Sequence, residues 1–378
     1  MIHVLLDSSI YRNDPSRRRL AFKTLAGLCE KKLVTLHVPS IVKREFTTYL
    51  AVQAEAVLGE AVRSLKKLTR SDGPNSARIL AETSLTELRT FTTRYGEHAV
   101  SSFNEWLQKV HAVEHEVKPE CVHDVLDRYF EGELPFKTVK SRDDFPDAFI
   151  WQIIRELAGK GRLCAVIADK NFRKAVSKIE KVDAFESLEA FIEAPAVQDL
   201  FPENFVRKHE VEILNLFKYS PWIFDVPIAD GIDSELRDTS IAHTVYENFD
   251  EADIVDVESV DNVTIDFGRA HYFGDNIFRL PFKARVRAIL DYFLDKSTYY
   301  GMSNEETLLI EVQDSEWNDS TMWVQEGRYL NVEGELGIAL DMTELIRKSG
   351  EGRLDTDTVL YGSEITIDQI QRTEIVDV

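Results

Sequence analysis

The sequence lacks the features that mark several common classes of protein. Among its 378 residues are three cysteines, Cys29, Cys121 and Cys164, whose spacing does not match a metal-binding motif. Such a small, odd number is typical of a reducing compartment and argues against a disulfide scaffold. No apolar run reaches the roughly 18 residues of a membrane-spanning helix, and Asp7 comes too early for a signal peptide. We therefore expect a cytoplasmic protein without a membrane partner.

Motifs for nucleotide binding and for serine hydrolysis are absent as well. The sequence contains no GxGxxG, no GxxxxGKS or GxxxxGKT, and no GxSxG. These patterns form the common phosphate-binding loops and the nucleophile elbow of α/β hydrolases. Any catalytic chemistry must therefore come from other residues.

The charge is divided unevenly between the two halves of the chain. The net charge is −21, yet residues 1–200 carry 30 Lys and Arg against 29 Asp and Glu, and the remaining residues carry 15 against 37. Such a change predicts a domain boundary near residue 200. The acidic half is either an ordinary soluble surface or a surface that repels nucleic acid or occupies a cationic groove in its place.

The first half alternates predicted strands with predicted helices. Apolar, β-branched segments predict strands over 3–6, 34–39 and 163–169, and helical periodicity extends over much of 40–131, including 76–131, and over 146–161. Without hairpin turns, this order predicts an α/β domain over 1–195. Its mostly parallel sheet would have helices on both faces, with a helical insertion at about 50–138.

The second half shows the two-residue alternation of antiparallel strands. We predict a linker or bridging helix over 196–220 and a separate acidic, β-rich α+β domain over 221–378. The alternating segments lie at 243–249, 253–268, 280–294, 307–314, 321–340 and 364–370.

Acidic residues recur where the strands of the first half end and its helices begin. Asp7 and Asp169 end predicted strands, Glu45 lies in the first turns of a helix, and Asp144 and Asp147 flank the start of another. Because strand carboxyl ends and helix beginnings share one edge of a parallel sheet, we expect these side chains to converge.

A group of carboxylates without cysteine or histidine favours a hard cation. Clustered carboxylates repel one another unless cations neutralise them, and oxygen ligands select Mg²⁺ or Mn²⁺ rather than zinc. Two such ions about 4 Å apart serve phosphodiester hydrolysis. The residues thus predict a metal-dependent phosphodiesterase site.

Four motifs follow one another in the first half of the chain: "VLLDSS", "VPSIVKREF", "DDFPDAFIWQ" and "VIADKNF". In this order they resemble the PIN domain family of metal-dependent ribonucleases, and the resemblance covers about residues 1–195. It implies a PIN-like fold and an endoribonuclease that uses Mg²⁺ or Mn²⁺, with two ions expected. We recognise no family in the second half.

The resemblance implies metal-ligand and catalytic roles for Asp7, Glu45, Asp147 and Asp169. Asp144 is either a further ligand or the N-cap of the following helix. Phosphate binding also requires basic or polar groups around the acids. The expected substrate-binding residues are Ser8, Arg12, Arg44, Arg142 and Lys170.

Two other functions remain open at this point. The PIN-like half could be a catalytically silent scaffold in an interaction or regulatory protein, or it could be a nuclease of DNA flaps or single strands, although RNA is favoured. The acidic domain is expected to regulate access or to bind a protein partner. The sequence leaves open homo-oligomerisation and a role in toxin–antitoxin or defence systems.

Overall fold

The chain folds into two compact units, Met1–Leu200 and Phe201–Val378. The computed structural model describes residues 1–69, 75–201, 205–242, 251–303, 307–317, 319–341, 359–360 and 362–376. The boundary between the units lies where the charge of the sequence changes.

The first unit is built on a parallel sheet. Its strands have the order β3-β2-β1-β4-β5, and each neighbouring pair is parallel. In β1, Val4, Leu5 and Leu6 are fully buried, as expected for a strand covered on both faces. The predicted α/β fold is confirmed. The strands are β1 (Ile2–Leu6), β2 (Val34–Pro39), β3 (Val113–His115), β4 (Leu163–Val166) and β5 (Val182–Phe185).

Helices connect and flank these strands. The helix that starts at Phe145 has Pro146 in its first turn, where a missing N–H costs nothing, and it stops at Gly161. The helices are α1 (Ser8–Asn13), α2 (Leu20–Glu30), α3 (Ser40–Thr69), α4 (Asn75–Lys109), α5 (Cys121–Glu131), a 3₁₀ helix (Arg142–Asp144), α6 (Phe145–Lys160), α7 (Lys170–Val176), α8 (Leu188–Ile192) and α9 (Pro195–Gln198).

The strand β3 interrupts the helix predicted over 76–131. Helix α4 ends at Lys109, and Val113–His115 then pair with His37–Pro39 of β2. A three-residue strand is too short to show alternation, and its formation depends on a partner distant in sequence. The predicted insertion over 50–138 therefore contributes a strand to the sheet as well as helices.

A cluster of aromatic side chains packs the helices of this unit together. The buried ring of Tyr11 lies 5.8 Å from Phe22, 5.4 Å from Phe46 and 5.3 Å from Phe103, measured between ring centroids. These residues belong to α1, α2, α3 and α4. Such contacts fix the orientation of α1 and α3, which bear Ser8 and Glu45.

The second unit is an antiparallel β domain with helices. Its main path has the order β10-β11-β9-β7-β6, with β12 on β11 and β8 on β9, and the predicted β-rich domain is confirmed. Its elements are α10 (Phe205–Lys208), α11 (Glu210–Tyr219), a 3₁₀ helix (Pro221–Phe224), α12 (Asp225–Leu236), β6 (Thr239–Ile241), β7 (Ala252–Ile265), β8 (His271–Gly274), β9 (Ile277–Asp295), α13 (Lys296–Gly301), β10 (Ile310–Asp314), β11 (Thr321–Ala339) and β12 (Glu364–Ile375).

The segment 196–220, predicted as a linker or bridging helix, contains the helices α10 and α11. Ile213 and Phe217 of α11 are buried in the hydrophobic core of the second unit, because α11 presents an apolar stripe to that core. Helix α11 thus packs as part of the second unit. The strand predicted over 243–249 lies outside the described residues.

None of the helices in the described ranges has the length and apolar character that crossing a membrane would require.

Candidate active site

Asp7 follows β1 directly and begins α1. Its backbone N–H donates to the carbonyl oxygen of Val166 in β4 at 3.0 Å, so the junction of two neighbouring strands fixes its position. Its Oδ2 accepts hydrogen bonds from Ser9 Oγ at 2.6 Å and from Ser9 N at 3.4 Å. Asp7 is only 7% exposed. The carboxylate therefore caps α1 and also lies at the carboxyl edge of the sheet.

Glu45 lies in the second turn of α3 and contacts the start of α1. The hydroxyl of Ser8 donates a hydrogen bond to its carboxylate. Burial raises the pKa of Glu45, and the negative charge of Asp7 raises it further, against the effect of the Ser8 hydrogen bond. Glu45 and Asp7 therefore share one electrostatic environment.

Asp147, in the first turn of α6, connects the acids into one cluster. Burial raises its pKa to about 7, and the charges of four other carboxylates contribute to the shift. These are Asp7, Asp144, Asp169 and Glu45. The other four acids predicted as metal ligands thus all act on Asp147.

Asp144 occupies the N-cap position of α6 but makes no side-chain capping bond there. Its Oδ2 instead accepts a hydrogen bond from the backbone N–H of Lys137 at 2.9 Å. The carboxylate is buried, at 3% residue exposure. Two roles were considered for Asp144, a further metal ligand or the cap of α6. Its side chain does not cap α6, and it anchors the preceding loop instead.

Asp169 lies at the N-terminus of α7, beyond the end of β4. Its Oδ1 accepts backbone hydrogen bonds from Phe172 at 2.7 Å and Asn171 at 2.8 Å. The bond from Phe172 is the main cause of its lowered pKa, and the positive charge of Lys137 also contributes. Asp169 Oδ2 lies 3.5 Å from Lys137 Nζ.

Residues 4–172 match a family model described as the PIN domain. The first unit contains a PIN domain. The matched residues include all five acids, and the second half of the chain has no family match. PIN domains are generally nucleases, bind nucleic acid and typically use divalent metal ions. Searches of curated proteins and of solved structures found no match to the chain.

The predicted substrate-binding residues of the PIN domain lie in two kinds of environment. Ser8 is buried against Glu45, so its hydroxyl supports an acid. Arg12 is exposed, with its guanidinium 5.5 Å from the centre of the Tyr49 ring, and its positive charge acts on Glu45. Three further basic side chains next to the acids are exposed and accessible to a phosphate backbone: Arg44, Arg142 and Lys170.

The donor set of the PIN domain fits a hard cation in its chemistry. The cluster consists of carboxylate oxygens, and the pKa of Asp147 is raised first by burial and then by the negative charges of the other four acids. Within the described ranges, however, no three or more His, Cys, Asp or Glu side chains are grouped so that they could hold a metal ion as they stand. Several carboxylate oxygens are instead directed to local donors, such as Ser9 for Asp7 and Phe172 for Asp169.

Two features of the PIN domain were not found from the sequence. The first is Lys137, whose contact with Asp144 and Asp169 depends on the conformation of a loop. The second is a row of histidines across three strands. His3 Nδ1 lies 2.9 Å from His37 Nε2, and His37 Nδ1 lies 2.8 Å from His115 Nε2. Only the register of β1, β2 and β3 brings these three side chains together.

Proposed function

We propose that this protein is a divalent-metal-dependent nuclease that cleaves RNA internally, through the carboxylate cluster of its PIN domain. The observation that carries the proposal is the environment of Asp147. Its half-buried carboxylate lies within the fields of four other acids, an arrangement that costs stability unless a cation neutralises it. Proteins retain destabilising arrangements of this kind mainly at functional sites.

Three elements would present the acids to a bound cation. Asp7, Glu45 and Asp147 come from the end of β1, from α3 and from α6, so rigid secondary structure sets their spacing. Ser8 orients Glu45 through its hydroxyl. A divalent ion held by these oxygens supplies positive charge that activates water and stabilises the charge developing on the phosphodiester.

Basic side chains around the cluster would hold the nucleic acid backbone. Arg12, Arg44, Arg142 and Lys170 are exposed and carry the charge that phosphate contacts require. Phosphate contacts fix position and do not read sequence. We therefore assign the preference for RNA to the family resemblance and make DNA an arm of the test.

A cleavage assay on the full chain tests this function. Wild type and Asp147→Asn are incubated with single-stranded RNA, duplex RNA, single-stranded DNA and flap DNA, each with Mn²⁺ or with EDTA. We expect Mn²⁺-dependent internal cleavage of RNA by wild type, and a loss of about 100-fold or more in Asp147→Asn, because an amide cannot replace the charged ligand. The matched control is Asp143→Asn, which changes an exposed acid in the same segment and should cleave like wild type.

The possible results separate the proposal from its rivals. Cleavage that survives both chelation and Asp147→Asn contradicts the metal-nuclease function. Absence of cleavage on all four substrates, with Mn²⁺ present, favours the silent scaffold. If only flap or single-stranded DNA is cleaved, the protein is still a metal-dependent nuclease, but its substrate is DNA and not RNA.

A further inference from the structure

Lys137 places a positive charge inside the carboxylate cluster. Its Nζ lies 3.5 Å from Asp144 Oδ1 and 3.5 Å from Asp169 Oδ2. The two acids belong to different elements, Asp144 preceding α6 and Asp169 preceding α7. One ammonium group therefore bridges Asp169, to which the family resemblance assigns metal binding, and Asp144, which was considered as a further ligand.

The backbone at Lys137 and just before it is held in place. Its N–H donates to Asp144 Oδ2 at 2.9 Å. The preceding residue, Phe136, is 2% exposed and packs in a small core with Val125 of α5 and Ala148 of α6. The ammonium therefore extends from an anchored loop, although its side chain is 44% exposed.

The five acids of the cluster differ in whether a basic side chain forms an ion pair with them. In the described part of the chain, both ion pairs that reach the cluster are made by Lys137, and both go to Asp144 and Asp169. Asp7, Glu45 and Asp147 have no ion pair among the described residues. The cluster thus consists of two acids that are ion-paired with Lys137 and three acids without an ion pair, although the charge of Arg12 acts on Glu45 and that of Lys137 acts on Asp147.

We propose that the ammonium of Lys137 takes the place of a second metal ion, so that the chain binds one divalent cation, on Asp7, Glu45 and Asp147, and supplies the second positive charge itself. This inference rests on the proposed function, since it concerns the same site. The family resemblance led us to expect two bound ions, and this inference reduces that number to one.

Electrostatics explains why the second ion would be excluded. A divalent ion between Asp144 and Asp169 would lie close to an ammonium of the same sign, and the two cations would repel each other. Lysine suits this role because its ammonium is a compact point charge on a flexible stem.

Counting Mn²⁺ bound per chain tests the inference without any cleavage measurement. Isothermal titration calorimetry and the electron paramagnetic resonance signal of free Mn²⁺ each give the number of sites on the full-length protein. We expect about one Mn²⁺ per wild-type chain and about two per chain in Lys137→Met, because the variant leaves Asp144 and Asp169 without a cation. Lys137→Arg keeps the charge and should bind about one.

Lys140→Met is the matched control. It makes the same substitution in the same loop, but the Lys140 Nζ lies 5.9 Å from the centre of the Phe130 ring and has no ion pair to the acids among the described residues. We expect it to bind about one Mn²⁺, like wild type. The circular dichroism spectrum of every variant shows whether it has folded.

The outcomes separate this inference from the proposed function. About two Mn²⁺ ions in wild type overturn the role of Lys137 and leave metal-dependent catalysis standing. A folded Lys137→Met variant with one ion, as in wild type, overturns it as well. If wild type binds no Mn²⁺, the proposed function itself fails, and the inference fails with it.

Discussion

At the scale of single residues, the carboxylate cluster of the candidate active site lowers the stability of the folded protein. Asp147 is half-buried beside four other carboxylates, and its pKa rises to about 7, mainly through desolvation and further through those negative charges. A group whose charge is opposed in the folded state weakens folding at any pH where it is ionised. The same charge is what a divalent cation would bind, so stability and function make opposite demands on this residue.

Replacing Asp147 with asparagine should therefore stabilise the metal-free protein while it abolishes cleavage. The amide removes the negative charge and keeps nearly the same shape, so we expect the free energy of unfolding at pH 8 in EDTA to rise by on the order of 1 kcal/mol. Thermal unfolding of Asp147→Asn beside Asp143→Asn measures the difference. A melting temperature in Asp147→Asn below that of the Asp143→Asn control would contradict this account.

Local sequence predicted the positions of the acids because each one follows a strand or opens a helix. Asp7, Asp147 and Asp169 lie where the pattern of apolar residues indicated an element boundary. Lys137 had no such signal. Its contact with Asp144 and Asp169 depends on the packing of Phe136 in a loop, and no periodic pattern describes a loop.

At the scale of elements, the first three strands in the sheet order share a row of imidazoles. His3, His37 and His115 come from β1, β2 and β3 and form a chain of two hydrogen bonds. Burial lowers the pKa of His37 to about 4, with further contributions from His115, His3 and Lys160. His115, whose own pKa is lowered mainly by burial, also faces Lys160, Glu156 and Lys118.

This row predicts a loss of stability in acid. The pKa of His37 is lower in the folded state than its ordinary value of about 6.5, so the unfolded chain binds the proton more readily. Its contribution is complete above pH 6.5 and is lost as the pH falls from about 6.5 towards 4. We expect it to amount to on the order of 2 kcal/mol.

Urea unfolding at several pH values measures the effect. In His37→Gln, which cannot be protonated, the free energy of unfolding should fall less steeply over this range than in wild type. His98→Gln, which changes an exposed histidine of α4, should follow the wild-type curve. Equal slopes in His37→Gln and wild type would refute the assignment.

Sequence patterns located the long elements well and the short edge strand poorly. The buried strands β1, β2 and β4 and the helix α6 follow from apolar runs, Pro146 and Gly161. The strand β3 does not, because two of its three residues are exposed and its formation depends on β2. The histidine row was missed for the same reason, since it requires the register between β2 and β3.

At the scale of the whole molecule, charge separates the two units. The first is nearly neutral and bears the candidate nuclease site, whereas the second carries the excess of acid. A strongly acidic domain on the same chain is always present at a high effective concentration. Its carboxylates can therefore compete with nucleic acid for the basic side chains of the first unit. We propose on this ground that the second unit limits access to the site.

Removing the second unit should raise activity at low salt. Residues 1–200 form a compact unit with its own sheet and core, so we expect the truncated protein to fold and to cleave several-fold faster than the full chain at about 50 mM salt. The difference should disappear near 0.5 M salt, where screening weakens both interactions. Retained Mn²⁺ binding shows that the truncated protein is intact. Equal rates at low salt would contradict the proposal.

The position of β1 in the sheet has a consequence for how the protein is made. Among the strands of its sheet, β1 is synthesised first, yet it lies in the middle of the order β3-β2-β1-β4-β5. Its second neighbour, β4, begins only at Leu163, and Asp169 follows it. While a ribosome adds residues one by one, the candidate nuclease site therefore cannot assemble until nearly the whole PIN domain has emerged. A nascent chain stalled before that point would expose one edge of β1 and have no cleavage activity.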